Sequence, residues 1–183
     1  ERPVVFYGTS ITHGGCASRP GMAHTAILGR RLGRPVINLG FSGNGRMQPS
    51  VADFLGELDP AVFFIDCLPN MTADVVARNA ERFLRKLRAA RPDTPIILSE
   101  DRTYGYAFLK PAVRESQAAR RKALRKVYER LRADGVTGLH YLPHTAQDGV
   151  EEGLVDGSHP TDLGMMRQAD AFEPMLREVL AQP

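Results

Sequence analysis

Short apolar runs alternate with longer amphipathic stretches from one end of this chain to the other, and that alternation restricts the fold more than any other feature. Val4–Tyr7, Val36–Leu39, Ala61–Asp66, Thr94–Ser99 and Leu139–Leu142 have the length and composition of strands. Ala61–Asp66 has the unbroken apolar character of a strand buried on both faces. The stretches between them read as helices. Ala23–Leu32 places Ile27 and Leu28 inward and stops at Gly33-Arg34-Pro35, and a short helix runs near Ser50–Leu58. Thr72-Ala73-Asp74 caps a helix on which Val76, Ala80, Phe83, Leu84 and Leu87 recur at helical spacing. Val113–Ala133 is a second long amphipathic helix closed by Asp134-Gly135. A final helix begins near Thr161, and Pro174 is expected to interrupt or kink it.

Five strands separated by helices predict an α/β fold, one parallel sheet with helices on both faces, and the expected architecture is a three-layer α/β/α, flavodoxin-like sandwich with a five-stranded parallel sheet in the order 2-1-3-4-5. At 183 residues, 43% hydrophobic and 25% charged, residues 1–183 are expected to form one domain with a full core. No stretch approaches the roughly 18 apolar residues that span a bilayer as a helix. The chain starts at Glu1, two residues ahead of the first strand, which fits either a domain of a longer protein or a processed product. Cys16 and Cys67 are too few for a disulfide framework and are expected as two thiols, with a single bridge as the alternative. The composition assigns neither a compartment nor an oligomeric state.

The net charge of +3 hides an asymmetry: residues 82–132 carry fifteen basic against five acidic groups, and residues 133–183 carry two against nine. The excess matches Arg and Lys on the solvent faces of two long helices. No aromatic interleaving or nucleic-acid motif accompanies it, so no nucleic-acid partner is expected.

A parallel sheet gathers every strand's C-terminal end on one edge, where open α/β sheets bind ligands. Four segments therefore converge: Gly8–Thr12, the glycine-rich Gly40-Phe41-Ser42-Gly43-Asn44-Gly45, Asp66–Asn70, and the polar loop holding Asp156 and His159. Three glycines in six residues predict unusual backbone angles after the second strand. Ser10, His159 and Asp156 are the residue types that nucleophilic acyl transfer requires. Each alone has a plainer reading, Ser10 as a turn or helix cap and Asp156-x-x-His159 as a capping loop.

In this order the blocks resemble those of the SGNH hydrolase superfamily, the GDSL esterases and lipases. Gly8-Thr9-Ser10, Gly43, Asn70 and Asp156-x-x-His159 stand where that superfamily has its serine, glycine, asparagine and Asp-x-x-His blocks. Tyr7–Thr12, Asn38–Gly45 and Asp66–Met71 are similar to a bacterial branch of GDSL-like acylhydrolases, in which the domain often follows an N-terminal β-rich module. Two positions depart from the pattern: Thr9 replaces the usual Asp, and Leu68-Pro69-Asn70 replaces Gly-x-Asn. The resemblance implies a serine esterase with Ser10 as nucleophile, His159 as base and Asp156 as its orienting carboxylate. It also implies that the N–H groups of Ser10 and Gly43 and the side-chain amide of Asn70 form an oxyanion hole.

His13, Arg46 and Met71 lie near these blocks in sequence and are expected to contact substrate. No metal is expected, because His13 with His24 and His140 with His144 lack a ligand geometry. No cofactor is expected either, because no phosphate loop or dinucleotide fingerprint is present. Short polar loops favour short acyl groups such as acetyl over long lipids. The absence of Trp removes one sugar-stacking platform, but five Tyr and eight Phe remain, so a glycan ester stays open beside small-molecule esters. Lysophospholipid or thioester cleavage is the alternative within the same chemistry, and a non-catalytic binding module is the alternative outside it.

Overall fold

In the computed structural model, which describes residues 1–181, the apolar runs form five parallel strands. These are β1 (Val4–Gly8), β2 (Val36–Gly40), β3 (Val62–Asp66), β4 (Ile96–Ser99) and β5 (Leu139–Leu142), hydrogen-bonded in the order β2-β1-β3-β4-β5. The expected order is the observed one. Side chains on the strands alternate between two cores, as a two-residue period requires. Val4, Phe6, Val62, Phe64 and Ile97 face one side, beneath α2 (His24–Leu32) and α6 (Asp162–Leu180). Val5, Tyr7, Phe63, Ile65, Ile96 and Leu98 face the other, beneath α3 (Pro49–Glu57), α4 (Ala73–Ala90) and α5 (Pro111–Ala133). On α4 the buried residues are Val76, Ala80, Phe83, Leu84 and Leu87, the full predicted stripe, and Thr72 caps the helix by accepting from the Val75 N–H.

Three local features depart from the sequence reading. The segment after β1 is not a loop from its start: Ser10–His13 form a one-turn helix, α1. Thr9 caps it, accepting from the Ile11 N–H, while its own N–H donates to the Thr12 hydroxyl. This reciprocal cap uses two threonines, and it gives Thr9, at the position where the family pattern has Asp, a structural role. Pro174 does not interrupt α6, which runs through it unbroken. Pro174 and Asp170, the residue four positions earlier, both face solvent, so water can take up the carbonyl that proline leaves without a donor. Cys16 is exposed, Cys67 is buried and no disulfide joins them, in line with two thiols.

The glycine-rich turn after β2 is the third departure. Only Gly43 takes a left-handed backbone there, at φ +69°. Gly45 serves close approach instead, because a Cβ on it would lie 1.9 Å from the Gly8 carbonyl oxygen at the end of β1. Gly45→Ala must therefore push the 41–48 segment off the strand end. We expect it to lower the folding free energy by about 1–3 kcal/mol, read as a lower denaturant midpoint. A midpoint equal to wild type would show that the turn yields freely.

The chain reverses direction across the sheet at β1, which sends β2 to one side and β3 to the other. The crevice over the C-terminal ends of β1 and β3 is thus the switch point at which such sheets bind ligands.

Candidate active site

Thr9 and the short helix α1 hold Ser10 at the tip of β1, half-buried and at the first helical position. Its N–H therefore has no partner within the helix. The far end of the chain comes back over it. After β5, two single 3-10 turns lead into a loop in which Leu154 bridges Pro160 and the Val155 N–H donates to the His159 carbonyl at 2.9 Å. This narrow loop presents His159 to Ser10, with Oγ and Nε2 2.8 Å apart. On the other side of the ring, Nδ1 lies 2.7 Å from Asp156 Oδ2. The second carboxylate oxygen accepts the N–H groups of Ser158 and His159 at 2.8 and 2.7 Å. Burial pushes the Asp156 carboxyl upward, but these hydrogen bonds together outweigh it and hold the group down at about 2. Serine, imidazole and carboxylate thus form one continuous hydrogen-bonded line across 149 residues of sequence.

Gly43 and Asn70 border the same cleft, an open space of about 490 Å³. The turn that carries Gly43 is braced from several directions. The Phe41 carbonyl accepts from the N–H groups of Asn44 and Gly45 and, at 3.4 Å, from the Asn70 amide. Gln48 ties this turn to the sheet: its Oε1 accepts from the Tyr7 hydroxyl at 2.7 Å, and its Nε2 donates to the Asn44 carbonyl at 2.7 Å. Asn70 ends the 3-10 turn Leu68–Asn70, so the Leu68 departure leaves the amide at the cleft.

The three expected substrate contacts lie elsewhere. Arg46 turns back and donates to the Gly43 carbonyl at 2.8 Å, and His13 Nδ1 sits 3.0 Å from the Gly40 carbonyl. Met71 is buried in the core beneath the site. None of the three borders the cleft, whose remaining walls include Tyr104 and Tyr106 from the segment between β4 and α5. That segment has no helical or strand periodicity, so no sequence pattern singles the two tyrosines out. His24 is buried between Phe6 and Phe172, and burial lowers it to about 3, a neutral core imidazole. His144 pairs with Glu100 at 2.7 Å. Among the described residues no group of three or more His, Cys, Asp or Glu side chains is placed to hold a metal ion.

Two buried charged residues support the site from below. Arg102 donates to the Ser158 carbonyl, next to His159, and to Gln168 Oε1 at 3.4 Å. Asp66 lies buried at the end of β3. Burial raises Asp66 to about 7 against the pull of Arg102 and Thr12, and its Oδ2 has no partner among the described residues. An acid raised in this way contributes stability that is complete below its unfolded value, near 3.8, and is lost as pH rises through about 7. The stability of wild type minus that of Asp66→Asn should therefore fall as pH rises from 4 to 7, by up to about 1.4 kcal/mol per unit, and level off above. Melting both proteins across that range checks it; a pH-independent difference would sink it.

Comparison with known proteins places this arrangement in context. The model of the GDSL-like Lipase/Acylhydrolase family matches residues 1–177. A protein of known structure from Bacteroides ovatus ATCC 8483, assigned as a GDSL-like lipase, is 36% identical with a TM-score of 0.93, the match covering 98% of this chain and 54% of that one. A salicylyl-acyltransferase from a tetracycline biosynthetic pathway is 25% identical with a TM-score of 0.85, covering 100% and 56% respectively. A family two carbohydrate esterase from Clostridium thermocellum, solved with cellohexaose, is 18% identical with a TM-score of 0.73, covering 98% and 65%, a likeness of fold alone. This chain spans little more than half the length of the first two. No curated protein sequence matches it.

Proposed function

Because this chain belongs to the GDSL-like lipase/acylhydrolase family, we propose that it is a serine ester hydrolase in which Ser10, His159 and Asp156 act as a triad. The observation that carries this reading is the unbroken line from Ser10 Oγ through His159 to Asp156, with contacts of 2.8 and 2.7 Å. Asp156 accepts from Nδ1–H and thereby leaves Nε2 unprotonated toward the serine. As Oγ attacks the ester carbonyl, Nε2 takes its proton and then delivers it to the departing alcohol oxygen. The acyl-enzyme is released when water, deprotonated by the same nitrogen, attacks in turn.

Negative charge develops on the carbonyl oxygen in both tetrahedral states. The N–H groups of Ser10 and Gly43 and the Asn70 amide are the donors assigned to it. The bracing of the Gly43 turn by Arg46 and Gln48 supports this role, since such donors act only when their orientation is fixed in advance. Asn70→Ala should raise the barrier by about 3–4 kcal/mol, read as a loss of kcat with the Ser10 adduct still forming.

The acyl group is assigned as short, of acetyl type, because the cleft over Ser10 is open and lined largely by polar side chains. Glycan acetates fit this cleft as well as small-molecule ones. Intact-mass measurement after treatment with a fluorophosphonate tests the nucleophile, and absence of an adduct would overturn the reading. A chain-length series of p-nitrophenyl esters tests the acyl assignment; a maximum at eight carbons or more would favour lysophospholipase- or thioesterase-type substrates. Transfer of the acyl group to an added alcohol is a second reading, favoured by the similarity to a salicylyl-acyltransferase. It is scored by the fraction of acyl-enzyme trapped as a new ester.

A further inference from the structure

Tyr104 and Tyr106 form a cleft wall that the triad chemistry does not itself require. Their ring centroids lie 5.7 Å apart at an interplanar angle of 54°, so the two faces make an open corner rather than a stack. Each ring is held from behind. The Arg120 guanidinium lies 5.3 Å from the centre of the Tyr104 ring, and Asp101 fixes that arginine in a buried ion pair. Gln117 accepts the Tyr104 N–H at 3.3 Å. The Lys110 ammonium lies 5.1 Å from the centre of the Tyr106 ring. A cation thus backs each ring, and both half-buried tyrosines still border the cleft.

The position of this corner relative to the acid–base group is fixed as well. The Gly105 N–H donates to the Gly157 carbonyl at 2.8 Å, and the Tyr106 ring packs so closely on Gly157 that a Cβ there would lie 2.4 Å from Cδ1. Gly157 stands two residues before His159. A departing alcohol must sit within hydrogen-bond reach of His159 to receive its proton, so the group it carries extends along this side of the cleft. The acyl chain and the carbonyl oxygen take the remaining directions, toward Pro69, Asn70 and Gly43.

We propose that Tyr104 and Tyr106 are specificity residues forming an alcohol-side subsite for esters of ring-bearing alcohols, with the flat face of a six-membered ring set against the tyrosines. This rests on the hydrolase reading above. The shared chemistry is a ring that offers a C–H or π face, whether an arene or a sugar. Among the described residues the Tyr106 hydroxyl has no hydrogen-bond partner, so it can reach a ring hydroxyl and add a preference for the sugar.

The test compares kcat/KM for four acetates of primary alcohols with similar leaving groups: n-butyl, cyclohexylmethyl, benzyl and methyl glucoside 6-O-acetate. Wild type is expected to prefer the ring esters. Tyr106→Ala is expected to lower the ring-to-butyl ratio about tenfold. Tyr106→Phe should keep the benzyl-to-butyl ratio and lower that of the glucoside. Unchanged ratios in Tyr106→Ala would overturn the subsite while leaving the hydrolase intact, whereas no turnover of any acetate by wild type would overturn the hydrolase reading itself. Saturation-transfer NMR with benzyl alcohol and methyl glucoside reads the subsite without turnover. Transfer seen with wild type and lost in Tyr106→Ala supports it, and no transfer to wild type overturns it.

Discussion

Ser10→Ala should lower kcat by about 10⁶-fold and leave the protein as stable as wild type to within about 0.5 kcal/mol. The two halves of this expectation have separate causes. The Ser10 hydroxyl bonds to His159 and has no part in closing α1, because Thr9 and Thr12 supply the cap. Alanine is at least as good a helix former, and the Ser10 N–H, one of the assigned oxyanion donors, survives the change. What is lost is the atom that forms the acyl bond, together with the fluorophosphonate adduct. A residual rate above the uncatalysed reaction is expected from the remaining oxyanion donors and from binding. Turnover of p-nitrophenyl acetate beside a thermal melt checks both halves; a variant that keeps a tenth of wild-type kcat would remove Ser10 from the mechanism.

Asp156→Asn should cost about 10⁴-fold in kcat, for a reason that lies in a single proton. Asparagine can still accept the N–H groups of Ser158 and His159 through Oδ1, so the loop keeps its shape. Its Nδ2, however, then faces the imidazole Nδ1 and donates where the carboxylate accepted. The ring must carry its proton on Nε2 instead, which faces Ser10 Oγ and can no longer receive from it. The wild-type carboxylate is held at about 2, below its ordinary 3.8, so its contribution is complete above about pH 4 and is lost only as pH falls through about 2. Changing the pH between 5 and 9 should therefore not restore the variant. A pH–rate profile in which Asp156→Asn approaches wild type anywhere in that range would assign Asp156 to structure rather than to tautomer control.

The five strands and the α4 stripe were legible because each follows from a short-range pattern repeated several times. An apolar run of strand length has few alternatives, and the spacing of Val76 to Leu87 tolerates only a helix. Three blocks of the site, at Ser10, Gly43 and Asn70, were legible for another reason: each sits just past a strand end, where a parallel sheet must bring them together. The Asp156-x-x-His159 block lies well beyond β5 and stood out through its resemblance. The supporting residues were not legible. Gln48 and Arg102 act through contacts 41 to 66 residues away in sequence, and no local pattern marks a side chain for such a partner. Arg46 and His13 lie near the site along the chain, but proximity in sequence does not give direction, and both turn to backbone carbonyls. Pro174 read as a break because the pattern could not show that Asp170 faces water.

The separation of Ser10 from His159 by 149 residues has a consequence in time. Ser10 follows directly on the first strand, whereas the histidine proposed as its base waits for β5, the loop after it and the docking of α6. Contacts of such long sequence separation close late, since chain entropy opposes them until the intervening elements are in place. The proposed nucleophile is thus in place well before the group proposed to activate it. In refolding, the return of hydrolysis should trail the return of helix signal, so that enzymatic activity serves as a clock for the last step of assembly.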